Sequence, residues 1–164
     1  MKKIIHIIFS LILMISIDGC VGYEPIFGSK NLRFEIANYS IEGNKTLGNK
    51  IYSRLYSLSK SQKNDQNLRS INLVIKTLKD KKATAKDSAG KILEYKITLN
   101  TDVQVTDFIS KEKILNQNFV SSLTYKVQSK YSDTVNLENK SIEDLLDKTY
   151  QELIIRLSQN IVEK

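Results

Sequence analysis

The feature that most restricts the fold of this chain is its clearest alternation of apolar and polar residues, ILEYKITLNTDVQV at residues 92–105. In an extended strand, successive side chains point to opposite faces of a sheet, so this stretch has one apolar face and one polar face. Such a strand is typical of an antiparallel sheet that is covered on a single side. The residues predicted to face the core are Leu93, Tyr95, Ile97, Leu99, Val103 and Val105.

Three other stretches carry the same period of two and predict three more strands. They are NLRFEIANYS at residues 31–40, SINLVIKTL at residues 70–78 and NFVSSLTYKVQS at residues 118–129. The last of them places Phe119, Leu123, Tyr125 and Val127 toward the core. The lysine-rich stretch LKDKKATAKDSAGK, which begins at Leu78, is predicted to be a hairpin connection with Gly90 near its tip.

Two segments change to a helical period. Residues 46–60, TLGNKIYSRLYSLSK, repeat apolar residues at a spacing of three and four, with Thr46 as the expected cap and polar residues 61–67 after the helix. Near the C-terminus, Ser141 followed by Asp144 predicts a capping-box-like helix start, with Glu143 beside it. The apolar stripe of this second helix comprises Ile142, Leu145, Leu146, Tyr150, Leu153, Ile154, Leu157 and Ile161.

These elements predict an α+β fold in which two helices pack on one face of a four-stranded, largely antiparallel sheet. The domain is expected to span residues 31–164, a length that suits one hydrophobic core. Residues 20–30 precede it as an extended tether, because Gly22, Pro25 and Gly28 interrupt any regular period.

The first 19 residues have the order of a secretory signal peptide. Lys2 and Lys3 supply positive charge, an apolar run follows from Ile4 to Ile17, and Gly19 is the small residue before Cys20. A membrane span needs about 20 apolar residues, so this run is short for a retained anchor and favours cleavage. The retained anchor is the alternative.

Cys20, the only cysteine of the chain, gives this signal a more specific meaning. The stretch Ile17-Asp18-Gly19-Cys20 resembles a bacterial lipobox, which implies cleavage before Cys20 and attachment of diacylglycerol and an N-acyl chain there. Two or three acyl chains anchor a protein durably, whereas one chain is marginal. Val21 is not the aspartate that commonly retains such proteins in the inner membrane, so the expected location is the periplasmic side of the outer membrane. The alternative is a free thiol in a discarded signal.

Composition argues against an enzyme and against a metal site. The only histidine, His6, lies in the signal, and the chain has no tryptophan, so zinc sites and Cys-His or Ser-His catalysis lack their usual residues. No glycine-rich nucleotide-binding motif occurs. Composition leaves open only a Ser-Lys pair or a pair of carboxylates, and no spacing indicates either. We therefore expect no catalytic residue, no metal and no cofactor.

The charge of the chain indicates an acidic partner. The net charge is +7, and it becomes +6 without residues 1–19, since Lys2, Lys3 and Asp18 are removed. In the periplasm, phosphorylated glycolipid and anionic headgroups are the abundant anions, and nucleic acid is not an expected partner. The lysines are spread along the chain, so a purely solubilising role for them is the alternative.

The order of these features resembles the lipopolysaccharide-assembly lipoprotein family LptE. The stretches that carry the resemblance are GCVGYEPIF at residues 19–27, TLGNKIYSRL at residues 46–55, LEYKITLNTDVQV at residues 93–105 and YQELIIRLSQNI at residues 150–161. The resemblance implies a lipoprotein that sits as a plug in the lumen of a large outer-membrane β-barrel of the LptD type. Such a protein assists the assembly of that barrel and contacts lipopolysaccharide during its transport.

The resemblance also suggests which residues meet these partners. The polar face of the sheet is expected to contact the barrel lumen, which is polar, through Lys76, Lys96, Asn100 and Lys126. Lysines reach phosphate as mobile point charges, and the expected lipopolysaccharide contacts are Lys81, Lys82, Lys86 and Lys91 of the hairpin, and Lys140 ahead of the last helix. A solvated polar face and a solvated loop are the alternatives.

Three departures from the family pattern are visible, together with two competing functions. Asp18 is unusual in a lipobox, the hairpin has no arginine, and no long polar tail follows the last helix. The competing functions are an outer-membrane accessory module that binds another envelope partner, and a freely secreted ligand-binding domain.

Overall fold

The computed structural model describes residues 32–61 and 68–162. Its elements, in chain order, are β1 (Phe34–Gly43), α1 (Lys45–Lys60), β2 (Arg69–Lys86), β3 (Ile92–Asp107), β4 (Lys113–Lys126) and α2 (Tyr131–Val162). Strand order in the sheet is β1-β2-β3-β4, with β1 parallel to β2 and the other two pairs antiparallel. The predicted α+β fold, two helices on a largely antiparallel sheet of four strands, is confirmed.

The parallel pair β1-β2 follows from the position of α1 between them, because parallel neighbours need a crossover and a helix is the usual one. Gly43 makes the sharp exit from β1 with a φ of 70°. Asn44 then caps α1, and its side-chain oxygen accepts a hydrogen bond from the Leu47 backbone N–H at 3.2 Å. The prediction that Thr46 is the cap is therefore wrong; Thr46 is an exposed residue of the first turn.

The second helix begins ten residues before its predicted start, at Tyr131. Ser141 is a buried residue inside the helix, and its hydroxyl donates to the Leu137 carbonyl at 2.7 Å, so it is no cap. The segment before Ser141 has few apolar residues, but Thr134 is buried and Leu137 packs against the core. These tertiary contacts explain a helical start that the apolar stripe did not indicate.

The lysine-rich segment is mostly strand rather than loop. β2 continues to Lys86 and pairs with β3 as far as Ile92, which leaves a short turn at residues 87–91. In that turn the Asp87 carboxylate accepts backbone hydrogen bonds from Ala89 and Lys91, and Gly90 has a φ of 82°. The two strands extend past the core, so Leu93 is 44% exposed, contrary to its predicted place in the core.

The core lies between the sheet and the two helices, as the apolar pattern predicted. Its fully buried large side chains are Leu32, Phe34, Ile51, Leu55, Ile71, Leu73, Ile75, Ile97, Leu99, Leu146, Leu153 and Leu157. None of the helices in the described ranges is both long enough and apolar enough to cross a lipid bilayer.

Two threonines within this core have hydroxyls without a hydrogen-bond partner among the described residues. Thr77 and Thr101 are fully buried, and the β2-β3 register places them opposite each other. A buried hydroxyl that loses water without gaining a partner costs about 1–3 kcal/mol.

Valine at either position is therefore expected to raise the free energy of unfolding by about 1 kcal/mol, since it removes the oxygen and keeps the branched shape. Urea unfolding of Thr77→Val and Thr101→Val measures this. Thr98→Val, on the opposite face of the same sheet, is the control and should change stability by less than about 0.5 kcal/mol. A lower unfolding midpoint for the two core variants would mean that the hydroxyls are hydrogen-bonded in solution.

Candidate functional site

The side of the sheet opposite the helices, here called the outer face, has no element of the described chain packed on it. Every second residue of each strand points to the outer face, and the strand register aligns these residues in rows across β2, β3 and β4. One row is Lys76, Asp102 and Asn118, and the row at the centre is Leu78, Asn100 and Val120. Most of the face is polar. The two apolar side chains of the central row are exposed, Leu78 at 49% and Val120 at 60%.

Hydrogen bonds between side chains order the centre of the outer face. The Asn118 amide donates to Asn100 Oδ1 and to Asp102 Oδ1, each at 2.6 Å. On β1 and β2, the Asn38 amide donates to Asn72 Oδ1 at 3.2 Å. The face is therefore a partly preorganised polar surface rather than a set of independent solvated side chains.

Four of the lysines that the sequence predicted as contacts of the barrel or of lipopolysaccharide lie on the outer face. Lys82 stands directly opposite Lys96 in the register, and Lys126 pairs with Glu94 next to them. Like charges directly opposite repel, and the Asp80 carboxylate, 3.1 Å from Lys82 Nζ, offsets part of this repulsion. The structure thus brings Lys82 together with two of the residues considered for the barrel interface, Lys96 and Lys126. Lys76 lies farther along the same face.

Lys81 lies on the other side of the sheet, because neighbouring strand residues face opposite ways. Its ammonium is 2.5 Å from a Glu138 carboxylate oxygen and 4.3 Å from the centre of the Tyr95 ring. The Tyr125 hydroxyl donates to the same carboxylate oxygen at 3.0 Å, and Lys79 lies 3.7 Å from the other oxygen. Lys79, Lys81, Tyr95, Tyr125 and Glu138 form the hairpin cluster, which ties the β2-β3 hairpin and β4 to the start of α2.

The hairpin cluster shifts the pKa values of its members. Burial alone would lower the pKa of Lys81, but hydrogen bonds and charge interactions with Glu138 and Tyr125 raise it well above its usual value. Burial would raise the pKa of Glu138, but the bonds from Lys81 and Tyr125 lower it. The pKa of Tyr125 is raised, chiefly by burial. Lys81 is thus held by a carboxylate, which makes it a poorer phosphate ligand than its neighbours.

The remaining lysines of the sequence prediction are dispersed. Lys86, the last residue of β2, and Lys91, the last residue of the turn, are both exposed at the hairpin end. Lys140 is exposed on α2, two residues after Glu138, and forms no ion pair with another described residue. The lysines of the prediction therefore do not converge on a single cavity.

The sequence did not predict two ion-paired arrangements that the structure contains. Glu138, the acidic centre of the hairpin cluster, lies 57 residues from Lys81, and no local pattern connects them. Arg69 and Asp107 form a similar distant pair, 2.8 Å apart, at the other end of the sheet. The Arg69 bond and backbone N–H bonds from Ser110 and Ile109 hold the pKa of Asp107 well below its usual range. Each pair joins segments that are distant in the sequence, β2 to α2 in the first and the start of β2 to the end of β3 in the second.

The described residues contain no group of three or more side chains placed to hold a metal ion. Cys20, the tether and the signal lie outside the described residues. Acylation at Cys20 and the domain boundaries at residues 19, 30 and 31 therefore stay predictions.

The fold is shared with bacterial lipoproteins of known structure, although the sequence itself matches no family model and no curated protein. Uncharacterized lipoprotein B from Nitrosomonas europaea superposes with a TM-score of 0.56 at 13% identity, covering 77% of this chain and 84% of the other. A minor lipoprotein from Acinetobacter baumannii gives a TM-score of 0.55 at 12% identity, covering 79% of this chain and 94% of the other. At such identities the similarity establishes the fold alone.

Proposed function

We propose that this protein is a lipid-anchored lipoprotein on the periplasmic side of the outer membrane that plugs a large β-barrel of the LptD type. In this role it assists the assembly of the lipopolysaccharide-inserting barrel, contacts lipopolysaccharide during transport and catalyses no reaction. The fold shared with bacterial lipoproteins and the lipobox-like stretch ending at Cys20 support the anchor. The resemblance to the LptE family supports the choice of partner.

The observation that carries the proposal is the uncovered outer face. A plug inside a transmembrane barrel meets a polar lumen, so its contact surface needs paired polar groups rather than an apolar patch. The ordered amides of Asn100 and Asn118, next to Asp102, are groups that can exchange hydrogen bonds with such a wall. Lys76, Lys96 and Lys126 on the same face add charges that pair with acidic lumen residues.

The test is affinity purification of the tagged lipoprotein from outer membranes in a mild detergent. We expect a large barrel protein to copurify with the wild type and to be lost with Asn100→Arg, because the bulky cation displaces the Asn118 hydrogen bond at the centre of the face. The matched control is Asn49→Arg, an exposed position on α1 on the other side of the sheet, which should retain the barrel.

Copurification of a different envelope protein would favour the accessory-module alternative. Equal recovery of the barrel with both arginine variants would contradict the outer face as the interface. Palmitate labelling of the wild type, compared with Cys20→Ser, tests the anchor separately, and an unlabelled wild type would contradict it.

The lipopolysaccharide contacts are tested with the lysines that are exposed at and near the hairpin end. Changing Lys82, Lys86 and Lys91 to glutamate is expected to weaken lipopolysaccharide binding at least about tenfold at low salt, because three phosphate-attracting charges are reversed. Lys81 is left unchanged, since its substitution would also break the hairpin cluster.

The control for charge alone reverses three exposed lysines elsewhere, Lys45, Lys130 and Lys148, with the same change in net charge. Binding is measured by titration into lipopolysaccharide dispersions, and folding by circular dichroism. Equal losses in the two triple variants would show that the attraction depends on net charge and not on the hairpin.

A further inference from the structure

The free edge of β4 is the feature that the proposed function leaves unexplained. Among the described residues, β4 pairs with β3 only. The Val127 N–H donates to the Leu93 carbonyl at 2.9 Å, and the β3-β4 register continues from there with Glu94 opposite Lys126. Since hydrogen-bonded pairs alternate along an antiparallel ladder, the odd-numbered residues of β4 bond to β3. The residues that turn their backbone N–H and C=O groups outward are Asn116, Asn118, Val120, Ser122 and Thr124.

This edge lacks the features that normally prevent strand pairing. The stretch Ile114–Tyr125 has no charged residue, no proline and no glycine, in a chain of which 26% of residues are charged. The one irregularity in the β3-β4 register lies at Val105/Thr106, opposite the start of β4 and outside the stretch with outward groups. Exposed edges are commonly protected by charges, prolines or bulges, and an unprotected edge pairs readily with another extended chain.

Apolar side chains lie on both sides of the edge. Val120 is 60% exposed on the outer face, and Ile155 of α2 is 42% exposed on the helix side. Both line one cleft of about 520 Å³, which also includes Gln117 and Arg156. An added strand has side chains that alternate between two faces, so apolar residues one position apart would cover Val120 and Ile155 respectively.

We propose that the β4 edge binds an extended, uncharged segment of a partner protein as a fifth strand of the sheet, with carboxylates flanking that segment. Lys113 and Lys126 stand at the two ends of the uncharged stretch and attract such carboxylates. Backbone hydrogen bonds to the outward groups supply affinity, and contact with Val120 and Ile155 in the cleft favours an apolar side chain on each face of the added strand.

The same charges disfavour a second copy of this chain as the occupant. Antiparallel self-pairing over the whole stretch brings Lys126 of one copy beside Lys113 of the other, at both ends of the dimer. Like charges placed opposite each other across strands are destabilising. The edge therefore fits a partner segment with acidic flanks better than it fits itself.

The experiment uses the purified chain and two synthetic peptides that share an eight-residue core of threonine and valine, with two adjacent valines at its centre so that one valine lies on each face of the added strand. One peptide has two aspartates at each end, and the other has two lysines at each end. We expect the aspartate-flanked peptide to bind at least about fivefold more tightly at low salt. Amide hydrogen exchange should slow at Asn118, Val120 and Ser122 when this peptide is bound, and stay unchanged at Phe119 and Ser121.

Ser122→Pro removes one outward N–H and blocks the edge, so it should abolish peptide binding, whereas Ser122→Ala keeps the backbone and should bind like the wild type. If Ser122→Pro does not fold, Val120→Lys places a charge on the edge and serves instead, with Val120→Thr as its uncharged control. A peptide methylated on every backbone nitrogen of its eight-residue core has no N–H left on either edge and should not bind.

The proposal is overturned if the edge amides exchange at the same rate with and without peptide, or if the methylated peptide binds as well as the parent. It is also overturned if sedimentation shows a dimer of the chain alone that Ser122→Pro dissociates, because the occupant is then a second copy. Peptide binding is measured without any barrel, so its outcome is independent of the proposed function.

Discussion

Gly43→Ala is expected to lower the free energy of unfolding by about 3 kcal/mol. The φ of Gly43 is 70°, a left-handed backbone conformation that costs an alanine about 1–2 kcal/mol. A Cβ there would also lie 2.4 Å from the Thr77 carbonyl oxygen, a backbone atom of the neighbouring strand. That oxygen accepts the Asn44 N–H at 2.7 Å, so relieving the clash weakens the hydrogen bond that holds the start of α1.

Gly90→Ala is the matched control, because its φ of 82° is similar and no atom lies within 4 Å of an added Cβ. The Gly90→Ala variant should lose only the free energy that the left-handed backbone conformation costs an alanine, about 1–2 kcal/mol. Urea unfolding of the two variants separates backbone strain from the clash with β2. Equal losses would show that β1 and β2 separate easily at this point and that the clash has no energetic weight.

The close approach at Gly43 explains how α1 can begin almost directly after β1. One residue, Asn44, separates the end of β1 from α1, so the helix starts directly against the sheet. Gly48, one turn into α1, allows the helix to lie against β1, since a Cβ there would lie 2.6 Å from Ile41 Cγ2. The sequence pattern indicates a strand followed by a helix, but it does not show that these two glycines set the contact between them.

The sequence predicted the fold well wherever one face of an element is buried. The alternation in β3 placed Ile97, Leu99, Val103 and Val105 correctly in the core, because a period of two leaves only one register with a buried apolar face. The prediction was wrong where an element extends past the core. Leu93 lies past the core, and the first ten residues of α2 contain few apolar residues, so neither place has a periodic apolar pattern that the sequence could reveal.

The positions of the candidate-site residues, like the fold, were predicted correctly in one part and wrongly in another. Alternation placed Lys76, Lys96, Asn100 and Lys126 on one polar face, and the structure has them on that face. Treating the lysine-rich segment as a loop gave no reason to separate Lys81 from Lys82, whereas strand pairing directs them to opposite sides of the sheet. Their binding roles stay proposals.

Glu138→Gln is expected to lower the free energy of unfolding by about 2 kcal/mol near neutral pH, because Lys81 and Tyr125 lose a charged acceptor in a partly buried site. The change is nearly isosteric, so the loss measures charge rather than packing. Thermal or urea unfolding at several pH values checks it. Glu152→Gln, on the same helix and without an ion pair to a described residue, is the control and should change stability by less than about 0.5 kcal/mol.

The pH dependence of this variant provides the sharper test. The pKa of Glu138 is lowered in the folded protein, so its contribution to stability is fully present above the unfolded-state pKa of about 4.3 and is lost as pH falls through the lower folded-state value. Wild-type stability should therefore decline below about pH 5, and Glu138→Gln should decline less steeply. Some slope should remain, because the pKa of Asp107 is also lowered, first by the hydrogen bond from Arg69. Parallel acid profiles for the wild type and Glu138→Gln would mean that the hairpin cluster does not hold this carboxylate in solution.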